Sequence, residues 1–435
     1  MVNIIIDKRR KKMSLKNLMK KAATFTLAAS MLAACSGGAP ASEGSPSGGS
    51  EGGDSGKSHK IAILEVQLND ESTNRAEYFK NYIGPEYNVE FMFSEAIQDL
   101  DAALSFLENA ADAGCEAVIN YYPIGANTEQ LVQKAAELGM VFTENGGRNK
   151  DNDDTYKAAY DNFSGGFMAD QPDTGRLFKE WMEANIDTSE EHGYLIATGM
   201  AYQGNAQQTE ISSNMLAALE ELYGLKFDLT KEELYQSSSP IEGTNDKGIA
   251  VYCYPGGPNQ NGWLEGFTAA LQTGNYDYIL TSPNVIGNVG TAISELETAM
   301  NKDFTWIGFG TFGDALKTAI GTKDSFGNQT LSMSTVKFTS IVSAMAFAKV
   351  YNTLTGHHDV NLTNGETSVN LFRMNAVTTP EQLEEMSTWD QPGKWVADID
   401  FVNSLITERG GAATNEDFQS NIYKYDFDAI SAKMK

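Results

Sequence analysis

The sequence predicts an α/β protein built from two doubly wound parallel-sheet lobes, on three observations. From Lys60 onward, short β-rich apolar runs alternate with amphipathic helical stretches, the pattern of βαβ units. Two successive helical stretches close on a glycine just before a strand: Ala113-Gly114 precedes the apolar run 115–120, and Ala136-Glu137-Leu138-Gly139 precedes 140–143. Residues 59–435, about 375 in all, are also more than one hydrophobic core usually serves.

Taken in order, the chain opens with a cluster of basic residues between Lys8 and Lys21, followed by the apolar run 22–34. That layout is a secretory signal, and the run is shorter than the roughly 20 residues a spanning helix needs. It ends at Leu32-Ala33-Ala34-Cys35, which resembles the bacterial lipobox. The resemblance implies that Cys35 is the lipid attachment site, so that lipid chains hold the protein at the outer face of the cell membrane. Residues 13–35 already make a complete signal, so Met13 serves as a start as well as Met1. Residues 36–58, SGGAPASEGSPSGGSEGGDSGKS, have almost nothing to bury and read as a flexible tether with a reach on the order of 25 Å.

Strands are expected at 60–66, 89–93, 117–121, 141–144, 194–197, 249–254, 278–280 and 305–309, with helices between them. In an open sheet of this kind ligands sit at the carboxyl ends of the strands, so candidate contacts are sought just after each one.

Composition narrows the function. Lys+Arg number 32 against Asp+Glu 58, a net charge of -26. Removing residues 1–34 takes away eight basic residues and one acidic one, leaving 24 against 57, or -33. So acidic a body argues against nucleic acid as a partner and against broad contact with anionic lipid. Hydrophobic residues make up 41%, and no second apolar run reaches spanning length, which leaves the lipid as the sole anchor. Cys115 and Cys253 sit in apolar surroundings and read as small core residues, with no disulfide expected.

The order of segments resembles the type I periplasmic-binding-protein family, in the branch that serves sugar ABC transporters, over nearly all of 59 to about 390. The best local match is Asp161-Asn162-Phe163-Ser164-Gly165-Gly166, similar to the family's Asp-Asn-x-x-Gly-Gly at the first crossover between lobes. AGCEAVINYYP, AELGMVFTEN and FTWIGFGTFGDA match further strand-and-turn segments. The resemblance implies a ligand cleft between the lobes, three crossovers, and closure by hinge motion, with Asp161 and Asn162 at the hinge. It places lobe one at 59–165 with a return segment at 334–365, and lobe two at 166–333 with 366–435. Residues beyond about 390 exceed the family's usual length and are expected to pack as extra helix against a lobe.

Carried over residue by residue, the resemblance puts Asn69 after the first strand and Glu144 and Asn145 where polar side chains meet ligand hydroxyls. In the second lobe the sequence departs from the family. Gln208 or Thr209 stands in place of an arginine, Gly310-Thr311 in place of an aspartate, and Asn284 is what remains of an Asn-Asp pair. The family's aromatic pair after the first strand is missing, and Tyr121, Tyr122, Tyr202, Tyr254 and Trp263 are the replacements at hand. A sugar site needs polar side chains for hydroxyls and an aromatic face for the ring, because each unpaired buried hydroxyl costs roughly 1–3 kcal/mol. The expected contacts are Asn69, Tyr122, Glu144, Asn145, Tyr202, Gln208, Asn284 and Thr311.

The implied function is that of an extracytoplasmic solute-binding lipoprotein of an ABC importer. It would be monomeric and without cofactor or metal, and it would deliver a sugar to permease subunits. Three rivals stand beside it: binding of a nucleoside or another polar metabolite, a sensor subunit docking on a receptor kinase, and a surface hydrolase on the same fold. Gly308-Phe309-Gly310-Thr311-Phe312-Gly313 formally fits the dinucleotide fingerprint. That fingerprint, however, needs a second strand ending in an acidic residue about 20 positions on, and 321–328 reads as a polar turn. The histidines, His59, His192, His357 and His358, are too scattered for a metal site, and the last two fall in a turn expected to be solvated. No nucleophile elbow or zinc-protease motif is present, so an enzyme reading has no residue to rest on.

Overall fold

A computed structural model describes residues 58–97, 99–121, 125–145 and 161–435. The expected signal, Cys35, the tether and Tyr122 lie outside the described residues. Among the described residues no helix is long and apolar enough to cross a membrane.

The first sheet is formed by β1 (His59–Glu65), β2 (Val89–Phe93), β3 (Ala117–Tyr121), β4 (Val141–Asn145), β5 (Phe163–Ala169) and β14 (Val369–Phe372), in the order β14-β5-β4-β3-β1-β2. All of its pairings are parallel. Ile61, Ala62, Ile63 and Leu64 of β1 are buried without a break, as expected where helices cover both faces of a parallel sheet.

The second sheet is formed by β6 (Tyr194–Gly199), β7 (Ile241–Gly243), β8 (Val251–Pro255), β9 (Tyr278–Thr281), β10 (Thr305–Phe309), β11 (Met333–Val336) and β15 (Asn375–Val377). Its order is β15-β11-β10-β9-β6-β8-β7, parallel in the middle, with an antiparallel strand at each edge. The remaining strands, β12 (Leu362–Thr363) and β13 (Glu366–Thr367), make a small hairpin.

The chain passes between the sheets at three places: from β5 into the helix Gln171–Asn185, from β11 into the helix Thr339–Leu354, and from β14 to β15. It then makes a fourth passage that the resemblance did not imply. After the helix Pro380–Ser387, residues 388–398 lead to the helix Ile399–Leu405, which packs on Thr339–Leu354 and so returns to the first sheet. The helix Asn415–Tyr423 packs on β14 in the same lobe.

Several expectations are corrected by this arrangement. Residues 334–336 belong to the second sheet, and 369–372 to the first. The helices 399–405 and 415–423 lie on the first lobe, not the second. Asp161 and Asn162 do not sit at the hinge. They precede β5, where the Asn162 amide donates to the Met140 carbonyl (2.5 Å), and the crossing comes a full strand later, at Ala169 to Gln171. A parallel strand begins at the edge of the sheet away from the cleft, so a motif at the head of β5 marks the strand's start and not its exit.

Three strands expected from apolar patterning, 89–93, 117–121 and 305–309, agree to the residue. β5 and β11 were missed for opposite reasons. β5 contains Gly165-Gly166, which depress strand propensity. Gly165 is nevertheless required, since its φ is +80° and an added Cβ would collide with the Ser368 carbonyl oxygen. β11 reads Met-Ser-Thr-Val and buries its polar residues, Ser334 and Thr335. His358 is half-buried, not solvated, 3.1 Å from the Thr353 hydroxyl, and burial lowers its pKa.

Candidate functional site

The carboxyl ends of both sheets face one cavity of about 440 Å³. Its first-lobe wall starts from β1, whose apolar run ends on Glu65, and Glu65 is aligned in register with Tyr121 at the end of β3. Asn69 caps the next helix, Asp70–Glu77: its side-chain oxygen accepts from Ser72 N (3.0 Å), while Ser72 Oγ accepts from Asn69 N (2.7 Å). This reciprocal cap sets the helix so that Glu71 and Arg75, one turn apart, look back at the strand end.

These residues make a buried charge network. Arg75 Nη1 lies 2.5 and 2.6 Å from the two Glu65 oxygens, and Nη2 lies 2.9 Å from Glu71 Oε1. Lys337, from the passage after β11, reaches the same Glu71 oxygen at 3.0 Å. The guanidinium also stacks on the Tyr121 ring, 3.6 Å from its centroid. Glu65, Arg75 and Lys337 are 3%, 5% and 6% exposed. Two carboxylates facing two cations leave this wall close to neutral, which is how buried charge is tolerated.

Burial pushes the Glu65 carboxyl up, with Arg75 pulling against it. For Glu71 burial again opposes ionisation, but Lys337 and Arg75 together hold its pKa below the usual value of 4.5. A depressed folded-state pKa adds stability that is present above the unfolded value and lost as pH falls through the folded one. The wild type is therefore expected to exceed Glu71→Gln in melting temperature at about pH 6 and to lose that margin by about pH 3. Melting curves across that range check it, and a margin that does not change with pH would remove the ion pairs from the account.

The second-lobe wall has a different chemistry. Its described lining residues include amides and hydroxyls but no charged side chain. Asn205 caps the helix Ala206–Tyr223 by accepting from Gln208 N (3.0 Å), and Gln208 Oε1 accepts from Met200 N (2.5 Å) just after β6. Gly199, at φ +64°, leaves the room that the Gln208 amide fills. Asn284, after β9, donates to Thr311 Oγ1 (2.9 Å), after β10.

Of the residues expected from the sequence, Asn69, Asn145, Gln208, Asn284 and Thr311 line this cavity. The side-chain oxygen of Asn145 is buried without a hydrogen-bond partner. Glu144 and Tyr202 do not line it. Glu144 is buried behind the strand end, accepting from the Thr128 hydroxyl at 2.9 Å. Tyr202 stands one layer back, where its hydroxyl accepts from Gln260 Nε2 (2.7 Å) and steadies a residue that does line the cavity. Tyr254 and Trp263 are core residues packed on each other with ring centroids 5.5 Å apart, so neither replaces the missing aromatic pair. Tyr121 lies under Arg75.

The network of Glu65, Glu71, Arg75 and Lys337 was missed by sequence reasoning. A carboxylate closing the apolar run Ile61 to Glu65, followed by a Glu-Arg pair at helical spacing, was the available signal. The glycines of the fingerprint-like run 308–313 serve packing: added Cβ atoms would strike Thr281 at Gly308, Ser334 at Gly310 and Asp70 at Gly313.

No family model matches the chain, and no curated protein matches it in sequence. Solved structures do. A solute-binding protein of an ABC transporter from Bacillus halodurans C-125, with bound myo-inositol, has a TM-score of 0.55 at 16% identity, covering 77% of this chain and 99% of its own. GanP, a glucose-galactose binding protein from Geobacillus stearothermophilus, has a TM-score of 0.54 at 10% identity, with 74% and 98% covered. A putative LacI transcriptional regulator from Bacteroides fragilis has a TM-score of 0.53 at 11% identity, with 75% and 99% covered. With its two sheets, its crossings and a cavity at the strand ends they share, the chain has the fold of the type I periplasmic binding proteins.

Proposed function

We propose that this protein is an extracytoplasmic solute-binding protein of an ABC importer, anchored by lipid on Cys35, that encloses a small uncharged polar ligand, a sugar, and delivers it to a permease. The observation that carries this reading is the pairing of walls in the cleft. One wall has neutralised its own charges, and the polar side chains of the other are amides and hydroxyls, set among apolar residues such as Met200, Val285 and Phe309. A charged ligand would meet no spare counter-charge there, whereas each hydroxyl of a sugar finds donors and acceptors. Binding without catalysis fits the same geometry, because both cleft carboxylates are held by cations and neither is free to act as a base. The likeness to a glucose-galactose binding protein and to a solute-binding protein with bound myo-inositol supports the ligand class. A DNA-binding role like that of the LacI-type neighbour is disfavoured by the net charge of -26, which repels a phosphate backbone.

Calorimetric titration of the purified protein with monosaccharides, disaccharides, nucleosides and amino acids tests the reading. At least one sugar is expected to bind. Asn145→Ala and Gln208→Ala are each expected to weaken that affinity at least about tenfold, the equivalent of about 1.4 kcal/mol, by leaving a ligand hydroxyl unpaired. Tyr202→Ala is expected to act more weakly, through Gln260. Silence from every sugar with a clear nucleoside or amino-acid signal would overturn the ligand class and leave the fold untouched.

A further inference from the structure

A second constellation lies at the opposite end of the second sheet from the cleft. Glu297 is on the last turn of the helix Ile286–Met300, Asp303 stands just before β10, and Asp324 lies in the loop between the helix Asp314–Gly321 and β11. One carboxylate oxygen from each lies within 4.8 Å of the others. Among the described residues no lysine or arginine forms an ion pair with any of the three; nearby Lys302 is committed to Asp277 at 2.8 Å.

How these carboxylates are held separates this cluster from ordinary surface acidity. Glu297 is fully buried. Its Oε1 accepts from Phe304 N (3.3 Å), while Oε2 is buried with no partner. Asp324 repeats the arrangement: Oδ1 accepts from Phe326 N (2.7 Å) and Asn328 N (3.0 Å), and Oδ2 is buried with no partner. Asp303 Oδ2 accepts from the Asn328 amide at 2.6 Å. In both Glu297 and Asp324, then, backbone donors hold one oxygen and orient the group, and the other oxygen is buried with no hydrogen-bond partner. A buried carboxylate oxygen in that state is unfavourable unless something positive meets it.

We propose that Glu297, Asp303 and Asp324 form a binding site for a calcium ion. All the ligands are hard oxygens. The three oxygens lie within 4.8 Å of one another, close enough to share one ion, and calcium accepts the irregular geometry that one helix end and two loop positions offer, whereas magnesium demands a near-ideal octahedron. The ion would tie the 322–330 loop to the foot of β10 and the end of the preceding helix, far from the ligand cleft, and would act on the stability of the second lobe.

The test uses the purified full-length protein, stripped with a chelator and titrated calorimetrically with calcium chloride to about 10 mM, above the range of extracellular sites. One saturable calcium per chain is expected, with a rise of several degrees in melting temperature. Glu297→Gln and Asp324→Asn should each remove both effects. Circular dichroism and ion-free melting confirm that the variants fold, and Glu297→Gln is expected to melt no lower than the ion-free wild type. No heat and no thermal shift would overturn the site, as would a calcium response undiminished in both variants; a response to magnesium alone would overturn the assignment to calcium.

Discussion

Replacing Arg75 with methionine is expected to lower folding stability by about 3–5 kcal/mol, the cost of breaking a buried ion pair from one side. The guanidinium satisfies both oxygens of Glu65, one oxygen of Glu71 and the face of Tyr121 at once. Methionine keeps much of the volume and none of the charge, leaving Glu65 at 3% exposure with no cation bonded to it. Urea unfolding at neutral pH measures the loss. The double variant Glu65→Leu with Arg75→Met is expected to recover most of it, because removing both partners leaves no uncompensated charge on β1. A single-variant loss below about 1 kcal/mol would place the pair in a far wetter setting than its burial describes.

Trp389→Ala is expected to cost a similar amount, about 3–5 kcal/mol, by opening a cavity where the fourth passage crosses. Trp389 is 2% exposed and lies between Phe338 and Phe427, with ring centroids 6.3 and 6.1 Å away. Phe338 belongs to the second passage and Phe427 to the C-terminal helix, so one indole joins two crossings and the extension. The next residue, Asp390, continues the tie. It accepts from Ser340 N (3.0 Å) and from the Ser340 hydroxyl at the start of the helix Thr339–Leu354, and its carbonyl accepts from the Asn74 amide (3.2 Å). Thermal and urea unfolding of the alanine variant check the magnitude. A change within about 0.5 kcal/mol would mean the extension lies on the body without stabilising it.

Trp389 sits at a crossing, and Arg75 is tied to another through Glu71 and Lys337. The extra passage through Trp389, together with the bond from the Tyr78 hydroxyl to the Ala397 carbonyl (2.8 Å), adds a connection beyond the three the resemblance implied.

What the sequence by itself determined is local. Apolar alternation and glycine stops placed 89–93, 117–121 and 305–309 to the residue, because strand period and helix termination are set within a few positions along the chain. Positions carried over from the family resemblance also brought Asn69, Asn145, Gln208, Asn284 and Thr311 to one cavity, since in a parallel sheet every strand end meets at the same edge. Reading by periodicity failed where residues contradict their environment: at β5, whose glycines make room for the Ser368 carbonyl, and at β11, whose buried hydroxyls look like a loop. Only the tertiary structure decided which charges pair. Glu71 meets Arg75 within its own helix, but Lys337 arrives from a crossing far along the chain, and Glu65 meets Arg75 only because the Asn69 cap turns the helix back. It also decided that Tyr254 and Trp263 belong to the core, that the crossing follows β5 instead of preceding it, and that the helices 399–405 and 415–423 return to the first lobe. These depend on which surfaces approach one another in space, and neither side-chain period nor turn chemistry carries that information.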